Sequence, residues 1–309
     1  MASKYHVRSI SLPSRSHPTT IKIEEELTKL KALEESSSRS SGSFCVSGLS
    51  GLEELYLCLD DLLNVASTQQ VLSHHQQNQN QHEKYSIFDE LMLDGSVKVL
   101  DICGITRDIL LQMKEHVQAL NSALRRRKGD SSIQDNITGY ICFRKKMKKE
   151  NKRLITTLKQ IDNKFITMSP VLLDQDQHFS AVIRVLREVN SMSSSIFQSL
   201  LTFLSVPMTS KPRQSSTSSR RWSLVTKLMH KRVMACDGQD HDENIVNELE
   251  SVDAILLLCR SYDHKMQLQD ANEKLKALET RIEELEKGLE RLFRRLIRTR
   301  ASLLNIISQ

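Results

Sequence analysis

Apolar residues in this chain return at steps of three and four through most of its length, which is the spacing of one face of an α-helix. The longest such stripe is Leu268, Ala271, Leu275, Leu278, Ile282, Leu285, Leu289, Leu292, Leu296, Thr299 and Leu303, with charge crowding the opposite side. Residues 268–303 therefore predict one long amphipathic helix that must lay its stripe against something. Shorter stripes predict helices over about Ile21–Glu34, Leu49–Leu72 and Val97–Arg127, with Ser96 as N-cap of the last. Further helices are predicted from Ile133 to Phe165, Leu173 to Val206, and Ile245 onward. The run from Ile245 joins the 268–303 stripe as one helix or as two with a kink near Asp263-His264.

Between the stripes lie polar segments. Residues 1–21 lack periodicity and read as a disordered basic tail. A helical domain over 22–206 is interrupted by polar linkers at about 36–48 and 74–86, the second rich in Gln, Asn and His. A Ser-rich linker at 207–220 leads to C-terminal helices at 221–309 that complete the bundle. The predicted fold class is all-α, an elongated multi-helix bundle with a long coiled-coil-like C-terminal helix. Composition agrees, because 9 Gly, 5 Pro and 5% aromatic residues supply few turns and few sheet formers.

On a heptad register Leu275, Leu278, Ile282 and Leu285 form a coiled-coil seam. Lys274 and Arg281 then occupy g and Glu279 and Glu286 occupy e, a pattern complementary in a parallel homodimer. Beyond Gly288 the added residues Phe293, Ile297, Leu304 and Ile307 broaden the face, as docking into a multi-helix core requires. The C-terminal helix is thus expected to serve two ends: 289–309 completing the fold and about 268–286 recruiting a protein partner or a second copy.

The net charge of +6 is unevenly placed. Between Arg125 and Lys159 there are 12 Lys/Arg against 3 Asp/Glu, and residues 211–235 hold 7 basic and no acidic side chains. The candidate basic patch is Arg125, Arg126, Arg127, Lys128, Arg144, Lys145, Lys146, Lys148 and Lys149. Its first reading is a solvated helix face or a contact with the chain's own acidic helix. The second is a nuclear import signal, and the third is nucleic-acid binding by the basic helix 144–153 or docking on an anionic membrane. No aromatic residues interleave the cations to stack bases, which argues against nucleic acid. Asn190–Ser210 is uncharged, but its apolar residues share one face, so it reads as a buried core helix and not a membrane span.

Candidate chemistry is sparse. Six scattered cysteines without a CxxC pair fit reduced thiols in an intracellular protein, cytoplasmic or nuclear. There is no Gly-rich phosphate loop, HExxH or GxSxG, and Asp60-Asp61 point about 100° apart on a helix. No catalytic, cofactor or metal site is expected. Two serines stand out as phosphorylation candidates. Ser11, in Arg8-Ser9-Ile10-Ser11-Leu12-Pro13, has the Arg and Pro spacing that 14-3-3 proteins read. Ser223 follows Arg220-Arg221-Trp222 and is also a plausible N-cap.

Several blocks together resemble a plant-specific family carrying domain of unknown function 241, akin to the Bypass-related proteins. They include His6–Arg15, Leu49-Ser50-Gly51-Leu52-Glu53-Glu54-Leu55-Tyr56 and Leu100-Asp101-Ile102-Cys103-Gly104. Ala123–Gly129, Arg144–Lys149, Arg221–Val225 and Leu285–Ile306 extend the resemblance over nearly the whole chain. The resemblance implies a helical protein associated with root and shoot development and transfers no catalytic residues. Because it begins near His6, it argues against a cleaved chloroplast transit segment. The expectation is a non-enzymatic helical interaction or scaffold protein.

Overall fold

The computed structural model describes residues 18–37, 41–77, 94–126, 130–167, 177–206, 247–261 and 265–308. Among them are eight helices: α1 Pro18–Ser36, α2 Gly42–Leu63, α3 Ala66–Gln77, α4 Gly95–Arg125, α5 Asp130–Thr167, α6 Gln177–Leu204, α7 Glu248–Ser261 and α8 Lys265–Ile307. No described residue lies in a strand. The fold is all-α, as the periodicity predicts.

The bundle is assembled on α8. Every described member of its predicted stripe, from Ala271 through Leu303, is at most 4% exposed. With 43 residues, α8 is roughly 65 Å long, enough to run past several shorter partners. Gly42 faces Arg281, Glu53 pairs with Arg291, and Asp60 accepts from Thr299, so contacts advance together and α2 lies parallel to α8. On the other side Asn121 meets Glu279, Lys114 meets Glu286, and Ser96 meets Arg300, so α4 is antiparallel. Outside α2 and α4, antiparallel pairs continue the bundle. Tyr56 of α2 bonds Ser193 of α6, and His116 of α4 stacks against Phe143 of α5.

One core runs through these helices, rich in Leu, Ile and Phe. Burying a Leu or Phe side chain contributes about 1.5–3 kcal/mol, and this term holds the bundle together. The predicted core face of α6 is fully used: Ile196, Phe197, Leu200, Leu201 and Leu204 are at most 1% exposed. Among the described residues, no helix is long and apolar enough to cross a membrane.

Several local expectations are corrected. The polar linker expected over 36–48 is helical from Gly42, capped by Ser41, whose Oγ accepts from the Phe44 N–H at 3.1 Å. Small residues there permit close helix contact. The expected single helix Leu49–Leu72 breaks at Asn64-Val65, where Asn64 closes α2 on the Asp60 carbonyl and Gln69 Nε2 donates to Leu63 O. The break turns α3 so that Leu72 still reaches the core. That helix runs to Gln77, into the segment expected to be a loop from residue 74. Asp94, not Ser96, takes the N-cap position of α4, and its carboxylate holds Lys98 one turn on. Ser96 instead meets Arg300 of α8.

Gly288 interrupts neither α8 nor its buried stripe. It sits at a close contact between α2 and α8, where a Cβ would meet Leu49 Cδ1 at 3.2 Å and Leu49 Cβ at 3.3 Å. The broadened apolar face beyond it is only partly buried. Phe293 packs under the Arg107 guanidinium at 4.7 Å, whereas Ile297 and Leu304 remain exposed.

Candidate interaction surface on the fifth helix

Two sequence features pointed to partners, the α8 seam and the basic patch on α5, and the structure treats them differently. Leu275, Leu278, Ile282 and Leu285 are at most 1% exposed, packed inside this chain. Their flanking charges also have partners within it. Glu279 accepts from Gln118 Nε2 and Asn121 Nδ2, both at 3.0 Å, and Glu286 accepts from Lys114 Nζ at 2.7 Å. Arg281 donates to Glu248 at 2.8 Å, and Lys274 pairs with Asp270 at 2.9 Å. The e/g charges set the register of α8 against α4 and α7. Residues 271–285 are therefore not a free seam: their heptad pattern is read by neighbouring helices.

The basic patch divides into an internal and an external part. Arg144 belongs to the interior, its side chain 2% exposed beside Asp253 at 1%. Its Nε donates to both Asp253 oxygens at 3.2 Å and its Nη2 to Oδ2 at 2.7 Å. Nη1 donates to the Leu204 carbonyl at 2.6 Å and Nη2 also to that of Val206 at 3.2 Å. A guanidinium fork is the side chain that can hold a carboxylate and two carbonyls at once. Those carbonyls lie at the C-terminal end of α6, where the helix dipole favours a cation. Tyr140 completes the cluster by donating to Asp253 Oδ1 at 2.9 Å.

Burial opposes the Arg144 charge, but the polar groups around it, Tyr140 and Asp253, hold its pKa above the usual value. Burial, then the Asp253 carboxylate, pushes the Tyr140 phenol well above its ordinary range, so it remains a neutral donor. Beside this node Asn247 Nδ2 donates to Phe203 O, while its Oδ1 accepts from the Leu249 N–H at the start of α7. The node thus joins α5, the end of α6 and the start of α7. Arg144 is removed from any cationic surface, because its pattern position faces the core.

What remains outside is a ridge of lysines. Lys145, Lys146, Lys148, Lys149, Lys152 and Lys159 are exposed along α5. Lys145, Lys149, Lys152 and Lys159 follow the 3–4 spacing of a single face, with Thr156 between the last two. No carboxylate lies within ion-pair distance of these ammonium groups among the described residues, whereas Arg153 is tied to Glu150 at 2.5 Å. Among the described residues the basic block reaches the chain's acid-rich segment through Arg144 and Asp253, while Glu279 and Glu286 of α8 pair with α4. Arg125 and Arg126 are exposed at the end of α4, and Arg126 Nε donates to Ser122 O. They lie near the start of α5, roughly 20 Å along its axis from Lys145. Arg127 and Lys128 lie outside the described residues, as do Ser11 and Ser223.

Other chemistry-bearing groups serve the interior. Burial pushes the Cys45 and Cys103 thiols up to about 12, far from the thiolate needed for nucleophilic work. Tyr56 is likewise raised to about 12 by burial and bonds Ser193 Oγ at 3.0 Å. Among the described residues no group of three His, Cys, Asp or Glu side chains converges as a metal site would require. Sequence reading missed the Tyr140–Arg144–Asp253 node, although Tyr140 and Arg144 stand four apart. The signal was an Arg and a Tyr on the apolar stripe of one helix and an Asp on the apolar stripe of another.

No curated protein and no solved structure matches this chain. A family model does: that of Protein BPS1, a plant, bypass-related family, matches residues 48–306. The matched span takes in the lysine ridge, the buried node and the α8 stripe, and leaves the resemblance at His6–Arg15 outside it. The chain belongs to the Protein BPS1 family.

Proposed function

We propose that this chain is a non-enzymatic helical interaction protein, a scaffold whose outward α5 face meets an anionic partner. The observation that carries the reading is the exposed, internally uncompensated lysine ridge on α5. An apolar core secures the fold without that ridge, so its charges are free for a partner. Support for a non-enzymatic role comes from the use of Arg144, Asp253, Tyr140 and the buried cysteines in packing and capping. The proposed place in root and shoot development rests on family membership. Phosphorylation of Ser11 and Ser223, and 14-3-3 binding at Ser11, belong to the same proposal as regulatory inputs.

Proximity labelling from the full chain in root and shoot tissue tests the reading. A reproducible set of neighbours absent from an unfused-label control is expected. Labelling indistinguishable from that control would overturn it.

A further inference from the structure

We infer that the α5 lysine ridge docks on an anionic phospholipid surface. This inference rests on the interaction-protein reading above and names the partner's chemistry. Lys145, Lys148, Lys149, Lys152 and Lys159 project from one side of a continuous helix over roughly 20 Å. The adjoining α6 carries no charged residue from Asn190 through Ser205, so that neighbour supplies no counter-charge to the ridge. On this flank Gln198, Thr202 and Ser205 leave a neutral polar surface, with the Thr202 and Ser205 hydroxyls satisfied by α6 carbonyls.

The type of cation selects the partner. Specific phosphate recognition favours arginine, whose planar fork reads two oxygens at once. Here the well-placed arginine, Arg144, is turned inward, and Arg153 is held by Glu150. The free cations are lysines, compact hydrated point charges on flexible stems. A convex ridge of such charges, without aromatic side chains to stack bases, suits a diffuse and laterally mobile sheet of anionic headgroups better than a nucleic acid. The ridge has no large exposed apolar residue, so docking is electrostatic, without insertion.

Sedimentation of the full chain with vesicles tests the inference. The protein is expected to pellet with phosphatidylcholine–phosphatidylserine vesicles, less so as salt rises, and not with phosphatidylcholine alone. Replacing Lys145, Lys149 and Lys152 with Gln removes about a fivefold factor per lysine, roughly a hundredfold together. The control triple Lys22→Gln, Lys276→Gln, Lys287→Gln carries the same change in net charge on other exposed positions and is expected to keep nearly full binding. Circular dichroism is expected to show equal helicity in both triples, since every replaced side chain is exposed.

No binding to the anionic vesicles, equal binding by the ridge triple and wild type, or equal loss in the two triples would each overturn the inference. Tighter binding of wild type to a single-stranded oligonucleotide than to the vesicles would also overturn it and assign the ridge to nucleic acid. Failure here with specific proximity-labelled neighbours still present would leave the interaction-protein reading standing. Vesicle binding without such neighbours would remove that reading alone.

Discussion

Arg144 of α5 and Asp253 of α7 form a fully buried ion pair in which the guanidinium also grips the last carbonyls of α6. Removing one member leaves the other charged, buried and unpaired, which costs about 3–5 kcal/mol. Asp253→Ala is therefore expected to lower the unfolding free energy by that amount in urea titration. The double replacement Arg144→Met with Asp253→Leu is expected to recover most of the loss, since two apolar groups need no partner. A loss under about 1 kcal/mol for Asp253→Ala would mean that the pair is solvated.

That node also shows where the sequence was readable. The 3–4 periodicity of Ala271 to Leu303, or of Ile196 to Leu204, directly encodes a buried face, and both are buried as expected. Arg144 was misplaced because it stands inside a run of cations, and composition cannot say which member of a run points inward. Its angular position could have shown this: Tyr140, Arg144, Asn151 and Leu158 lie on the same side of the helix. The break after Leu63 was hidden for a different reason. Asn64 is a weak stop signal, and the turn depends on Gln69 reaching back to Leu63 O. The heptad seam was legible as a seam, but heptads do not specify whether the partner helix is in another chain or in this one.

Asp60 has a carboxylate that burial raises above the usual range, against the lowering effects of its bond from Thr299 and of Arg298. Its Oδ1 accepts from Thr299 at 2.5 Å, while Oδ2 has no hydrogen-bond partner. A raised folded-state pKa means that the folded chain holds this proton more tightly than the unfolded chain. The associated stability is present below the unfolded value of about 3.9 and lost as pH rises through the folded one. Asp60→Asn keeps the acceptor for Thr299 and removes the charge. At neutral pH it is expected to melt at or above the wild-type temperature, with the gap closing as pH falls toward 4. A variant that melts lower at pH 7 and equally at pH 4 would show that the Asp60 charge is stabilising.

Gly288 faces Leu49 too closely for a long side chain. Gly288→Leu is expected to push α2 and α8 apart and cost about 1–3 kcal/mol by overpacking, read from chemical denaturation. Unchanged or increased stability would mean that the helices do not approach as described.

Protonation of His116 provides a milder probe. Burial lowers its pKa against the pull of Glu115, and its ring lies 4.8 Å from Phe143. A lowered value makes this contribution present above the unfolded histidine range of about 6.5 and lost as pH falls through the folded value. His116→Phe is expected to flatten the acid side of the stability profile, measured as melting temperature against pH. An unchanged acid limb would place the dependence elsewhere.

The α8 stripe closes this chain's own core, and the α5 ridge is the surface proposed for partners. Leu278 belongs to the predicted seam within that stripe and is 0% exposed. Thermal unfolding of Leu278→Glu is the direct test. A buried, unpaired carboxylate in the core is expected to abolish the cooperative transition or lower its midpoint steeply. A cooperative transition at the wild-type temperature would contradict the account and return the seam to the surface.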